Sequence, residues 1–279
     1  MKSIFSINTW PAASGIAKEI ISALTTEKIY LLSVIHQSEE IQSIFIDSPR
    51  IENAVEALNI LVLAGESEKR LNEELQDIIE HRLNIQTPVT AFVMQALQFH
   101  EWLINEHPFA VKVIQKGKLF YDAGNIPLTA PEGYNEPAAK DFLSLELSRK
   151  TSKAIEFLAG AELFVIRKQF EIAAFHLHQA AEQIYTGIIQ FTTGLHVQTH
   201  NLDKLYRYSK YLMPGLKDLF PRDTEGEIKL FQYLQKAYLG ARYDTDYSIK
   251  MTAVSKLFER VKKLLILCRD IQNPRFITA

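Results

Sequence analysis

Apolar positions in this chain follow two rhythms, and the change between them falls in one proline-rich stretch. Ahead of it stand short runs of strand length: Ile29-Tyr-Leu-Leu-Ser-Val-Ile35, Ile44-Phe-Ile46 and Leu58-Asn-Ile-Leu-Val-Leu63. Such β-branched or leucine-rich runs predict strands. Lys118-Leu-Phe-Tyr121 predicts one more, and helical patterns lie at 14–26, 67–83 and 95–105. That alternation predicts a mixed α/β layer.

Beyond the stretch the period becomes helical throughout. From Ala138 to Lys168 apolar residues recur at helix spacing, at Phe142, Leu145, Leu147, Ala154, Leu158, Ala161 and Phe164. A second helix is expected over about 170–192, with Ala173, Leu177, Ala180, Ile184 and Ile188 on one stripe. Asn201 and Leu202 open a third, residues 225–240 form a fourth, and Ser248 to about Ile271 a fifth. Five helices joined by short loops predict an antiparallel bundle. The switch itself, Asn125 to Pro137, holds three prolines and a glycine and reads as an extended linker. The expected organisation is α+β: a mixed α/β domain over 1–125, a linker over 126–137, and an all-α antiparallel bundle over 138–279.

Composition adds little to this picture, but charge does. The single cysteine, Cys268, excludes an intrachain disulfide. No apolar run approaches the roughly 20 residues of a membrane span, and no secretory leader is recognisable around Lys2. A cytoplasmic protein without a membrane partner is expected. The net charge of −2 conceals an asymmetry. Residues 1–136 carry ten Lys and Arg against eighteen Asp and Glu, and residues 137–279 carry twenty-one against fifteen. A basic helical half suits an anionic partner, although solvated surfaces that simply differ in charge fit as well.

Candidate chemistry concentrates between Ala173 and Tyr247. His176 and His178 are two residues apart, about 200° around a helix, and face different ways. His178 and Glu182 share a face at i and i+4. Two ligands with no cysteine nearby do not make a zinc site, so no metal and no cofactor is expected. In Thr199-His-Asn-Leu-Asp-Lys-Leu205, Thr199 or Asn201 can cap the third helix, and His200 beside the cap can line a polar cleft. In Arg242-Tyr-Asp-Thr-Asp-Tyr247, Arg242 offers a planar fork of donors suited to phosphate, and Tyr243 and Tyr247 offer stacking surfaces. The bland alternatives are an Asp244–Arg242 salt bridge and a helix cap from Asp246 or Ser248.

These pieces, Gln179-Ala-Ala-Glu182, Thr199-His-Asn-Leu202 and Ala241-Arg-Tyr243, resemble the HEPN family of helical nucleotide- and RNA-associated domains over roughly 138–271. In nuclease members of that family an arginine is followed four to six residues later by a histidine. The two meet in a cleft at a dimer interface and cut RNA without metal. Here Arg242 is present, but the residue that follows it after four intervening positions is Tyr247. Histidine titrates near neutrality, whereas a tyrosine with a reference pKa of about 10 is a poor proton acceptor there. The resemblance therefore implies the non-nuclease branch, similar to domains in sacsin and in kanamycin-nucleotidyltransferase-like proteins. It implies a homodimer that binds nucleotide or RNA through Arg242, Tyr243, Tyr247, Asp246, His178, Glu182 and His200. Two other readings are a toxin- or defence-type ribonuclease using Arg242 with His200 or His178, and a purely structural dimerisation module.

That branch often stands beside a minimal nucleotidyltransferase domain, and the order of elements before the linker is similar to one. The signature Gly-Ser falls on Leu32-Ser33 and the Asp-x-Asp on Ala57-Leu-Asn59. No glycine occurs between Gly15 and Gly65. Without both carboxylates the two Mg²⁺ ions of nucleotidyl transfer have no seat, so this domain is expected to be inactive. Asp47 and Glu56 are read as ordinary solvated acids.

Overall fold

The computed structural model describes residues 12–36, 41–43, 55–83, 88–210, 212–213 and 215–272. The strand expected at 44–46, and Asp47, lie outside the described residues. The chain divides into two compact units, residues 1–136 and 137–279.

The first unit runs α1 (Ala12–Ala23), β1 (Thr26–His36), β2 (Ile41–Ser43), β3 (Val55–Ala64), α2 (Asn72–Leu83), β4 (Val89–Gln95), α3 (Ala96–Ile104), α4 (Pro108–Lys116) and β5 (Lys118–Asp122). β1 pairs antiparallel with β3 along one edge. Its other edge is shared by β2, opposite residues 33–35, and β5, opposite residues 28–31. β4 joins β3 in parallel through the α2 crossover. β1 and β3 are buried along nearly their whole described length, Ile29, Leu32, Leu58, Ile60, Val62 and Leu63 completely. A strand covered on both faces has no solvent side to make polar, which is why both read as unbroken apolar runs.

Two elements of this unit escape the periodicity. β4 passes into α3 at Gln95–Ala96 with no turn residue between them, so the sequence shows one apolar patch where there are two elements. α4 is nine residues long and starts on Pro108, whose missing N–H costs nothing at a first helical position. The chain beyond β5 is held by the buried Glu27 carboxylate, which accepts from Asn125 N–H, Asn125 Nδ2 and Ile126 N–H at 3.0, 2.9 and 3.0 Å.

The second unit runs α5 (Glu136–Ile166), α6 (Phe170–Thr193), α7 (Leu202–Ser209), a single 3-10 turn at Lys217–Leu219, α8 (Glu225–Tyr243) and α9 (Met251–Asp270). No strand occurs among its described residues. α6 is the central helix: 15 of its 24 residues are buried, and α7, α8 and α9 all pack on it. Alanines at 173, 174, 180 and 181 leave room for those neighbours.

On α5 the buried stripe is Leu143, Leu147, Ala154, Leu158 and Ala161. Phe142 and Leu145, expected in the core, are 54% and 51% exposed. Phe142 stands one residue, about 100°, off the stripe that Leu143 and Leu147 define. Gly160 lets α5 approach α6, since a Cβ there would stand 2.5 Å from the His176 ring. His176 is thereby a packing residue. It meets Phe164 and Phe175 and donates from Nδ1 to its own helix at Ile172 O, 2.9 Å away. α6 ends on Gly194 in the left-handed region, φ 83°, whose N–H donates to Gln190 O. Such an ending suits glycine because it has no Cβ.

Candidate functional site

Asn201 caps α7, its side chain accepting from Asp203 N–H and Lys204 N–H. That cap fixes the residue before it. His200 stands more than half exposed and donates from Nδ1 to Glu182 Oε2 at 2.9 Å. Because a carboxylate only accepts, this bond places the proton on Nδ1 and leaves Nε2 as the ring's available nitrogen.

Glu182 sits on α6, buried, with a second imidazole on its own helix. His178 is fully buried and donates from Nδ1 to Leu234 O on α8 at 2.9 Å, while its Nε2 lies 3.6 Å from Glu182 Oε2. Gln179 adds a longer contact from Nε2 at 3.4 Å. Burial raises the Glu182 carboxyl, but hydrogen bonding and charge from His178 and His200 outweigh it and hold the group below its ordinary range.

Tyr238 on α8 joins this cluster to Arg242. Its ring stacks on His200 at 4.3 Å and on His178 at 5.2 Å between centroids. The Arg242 guanidinium lies over the same ring, Cζ 4.2 Å from the centroid, and donates from Nε to Tyr238 O at 2.7 Å. Phe175 and the exposed Tyr243 flank it at 5.3 and 4.9 Å. Arg242 is exposed, and among the described residues no carboxylate lies in ion-pair range of it. Asp244 is occupied otherwise, its Oδ1 accepting from Asp246 N–H at 2.9 Å.

Of the residues singled out in the sequence, His178, Glu182, His200, Arg242 and Tyr243 therefore form one connected group. Tyr247 and Asp246 have other local settings. The Tyr247 hydroxyl donates to Tyr233 O at 3.0 Å, and its ring packs on Gly240, where a Cβ would stand 2.6 Å away. Burial pushes the Tyr247 hydroxyl far above its ordinary pKa, so it is no proton acceptor near neutrality. Asp246 is exposed in the turn after α8, and the N-cap position of α9 is Lys250, which makes no side-chain cap. Neither Asp246 nor Ser248 caps that helix. Tyr238 is the residue that sequence reasoning missed. Its signal was available, since a position four before Arg242 shares its helix face.

His178 and His200 both approach the Glu182 carboxylate, and His178 turns Nδ1 away to a backbone carbonyl. Among the described residues no group of three His, Cys, Asp or Glu is arranged to hold a metal ion, and no described helix is long and apolar enough to cross a membrane.

Comparison with known proteins adds the family. No curated protein matches the chain. Among solved structures, a nucleotidyltransferase-like protein from Exiguobacterium sibiricum 255-15 is similar over 93% of this chain and 76% of that one, at 13% sequence identity and a TM-score of 0.31. Residues 148–271, which hold the whole His178–Glu182–His200–Tyr238–Arg242 group, match the HEPN domain family. The helical unit of this chain carries a HEPN domain.

Proposed function

We propose that this domain binds a phosphate group of a nucleotide or RNA at the exposed face formed by Arg242, Tyr238 and His200, and that it does so without catalysis. The observation that carries the reading is the stacking of an exposed guanidinium and an exposed imidazole on one tyrosine ring. No described carboxylate answers the guanidinium, whose Nε is satisfied by a carbonyl and whose terminal nitrogens remain for a ligand. Tyr243, 75% exposed, offers a surface for a base. The excess of basic residues in this half favours the approach of an anion.

The first unit is, in the same proposal, a nucleotidyltransferase-like domain without activity. Ser33 and Asn59 oppose each other in the β1–β3 register, and Asn59 Nδ2 donates to Ser33 Oγ at 2.7 Å. With Ala57 and Asn59 at the Asp-x-Asp positions and the Asn59 amide engaged by Ser33, neither position offers Mg²⁺ a carboxylate. Self-association as a two-fold dimer through the helical unit completes the proposal. Light scattering tests it, and a monomer at high micromolar concentration would contradict it.

One observation favours a second reading. His200 is held by a buried carboxylate through Nδ1, which leaves Nε2 as a candidate general base on the tyrosine ring that Arg242 also covers. That is the arrangement a ribonuclease with a displaced histidine would use.

A thermal-shift series against nucleoside mono-, di- and triphosphates and short RNA tests the first reading, because binding to the folded state raises its apparent stability. The expected result is a rise in Tm that Arg242→Ala abolishes, with the RNA recovered intact. RNA cleaved by the unaltered chain and spared by His200→Ala would establish the second reading instead.

A further inference from the structure

Four of the five buried polar residues of α6 are ordered along one line. His178, Glu182, Thr186 and Gln190 stand four residues apart and make a polar stripe on a helix otherwise packed with apolar and small side chains. The chain that leaves α6 at Gly194 returns along this stripe. Leu195 N–H donates to Thr193 Oγ1 at 3.0 Å, His196 lies within electrostatic reach of Lys150, and His200 closes on Glu182. From α5, Lys150 donates from Nζ to Thr186 Oγ1 at 3.2 Å. Glu182 with His200, and Thr186 with Lys150, thus mark two positions one turn of α6 apart, about 6 Å at 1.5 Å per residue.

At the second position the lysine has no ion-pair partner among the described residues. Glu146 is engaged by Arg149 at 2.5 Å, and Glu182 by the two histidines. Burial and the neighbouring Lys153 lower the Lys150 pKa despite Glu146 and Glu182, and burial and Lys150 lower that of the exposed His196 despite Glu146. One turn further along the stripe, Gln190 Oε1 is buried without a partner. The Lys150 ammonium has three N–H donors and uses one on Thr186.

We propose that Lys150, Thr186 and His196 form a second anion subsite, and that the ligand bridges it to Arg242 and His200 through two of its phosphate groups. The proposal rests on the reading of Arg242 and His200 as the first phosphate site. Two sources supply that chemistry, consecutive phosphates of a nucleic-acid strand and the phosphate chain of a nucleoside polyphosphate.

The test is fluorescence anisotropy on the full chain with a labelled short single-stranded RNA, with AMP, ATP and pApA as competitors. Lys150→Gln keeps most of the side-chain stem. It is expected to weaken strand binding about tenfold, as for loss of a charge-assisted hydrogen bond. It is also expected to lower the salt-dependence slope by about 0.7, the value for one phosphate of a single strand. Competition by AMP should be unchanged. His196→Ala, at an exposed position, should shift the strand in the same direction and keeps the test valid if Lys150→Gln misfolds. Loss of pApA competition alone assigns the pair of phosphates to a strand, and loss of ATP competition alone assigns it to a nucleoside polyphosphate. Unchanged strand affinity in both variants, with Arg242→Ala weakened, would overturn the second subsite and leave the first standing. Weakening in Lys150→Gln with none in Arg242→Ala would overturn the bridge and the first site together, as would a chain that binds none of these ligands.

Discussion

At Glu182 one carboxylate oxygen faces two imidazoles, one buried and one in water, and this difference separates their roles. His178, with Nδ1 spent on Leu234 O, is part of the bundle interior, whereas His200 keeps a nitrogen for the outside. Side-chain types and helix spacing made most of this group legible, because i and i+4 positions share a face whatever surrounds them. They did not show that Tyr247 turns inward, because Gly240 admits its ring only once α8 and the following turn are in place. Tyr185 illustrates a different price of burial. It is fully buried, and its hydroxyl has no partner among the described residues. An unmet buried hydroxyl costs about 1–3 kcal/mol, so Tyr185→Phe is expected to raise stability by about 1 kcal/mol. A denaturant midpoint equal to or below that of the unaltered protein would show that the hydroxyl is satisfied after all.

Between elements, two contacts carry consequences that can be measured. At Gly240 an added Cβ would stand 2.6 Å from the Tyr247 ring and 3.0 Å from its Cβ. Alanine gains about 1 kcal/mol over glycine in a helix interior, but overpacking of this kind costs about 1–3 kcal/mol. Gly240→Ala is therefore expected to destabilise the helical unit, and a higher thermal midpoint would contradict this. In the first unit, the loop after β3 is tied to the start of β1 by Glu68. It accepts from Thr25 N–H and from Arg70, whose Nη2 also reaches Ala23 O. Hydrogen bonding from Arg70, against the opposing effect of burial, lowers the Glu68 pKa from 4.5 to about 2. A carboxyl depressed on folding stabilises above its unfolded value and loses that contribution as pH falls through the folded one. Removing the tie with Arg70→Met should lower the urea midpoint at neutral pH, and the gap to the unaltered protein should close between pH 4.5 and 2. A gap that stays constant over that window would show that the pair contributes nothing through its charge. Element positions themselves were largely legible in the helical unit, where the apolar stripe repeats for many turns. β4 and α4 were not, because one abuts the next element and the other is too short for its period to declare itself.

For the whole molecule, the division into an α/β unit and a helical unit has a chemical counterpart in charge, acidic first and basic second. The functional account rests on the second unit, and within it on Arg242. Calorimetric titration of the full chain with short RNA or a nucleoside phosphate, comparing Arg242→Ala with Tyr247→Phe, tests that account most directly. Arg242→Ala should weaken binding by about 1.5–3 kcal/mol, the range for a hydrogen bond to a charged group, while its circular dichroism spectrum stays that of the unaltered protein. Tyr247→Phe, altered outside the cluster, should bind as the unaltered chain does. Unchanged affinity in a folded Arg242→Ala protein would contradict the account and leave the guanidinium as packing over Tyr238.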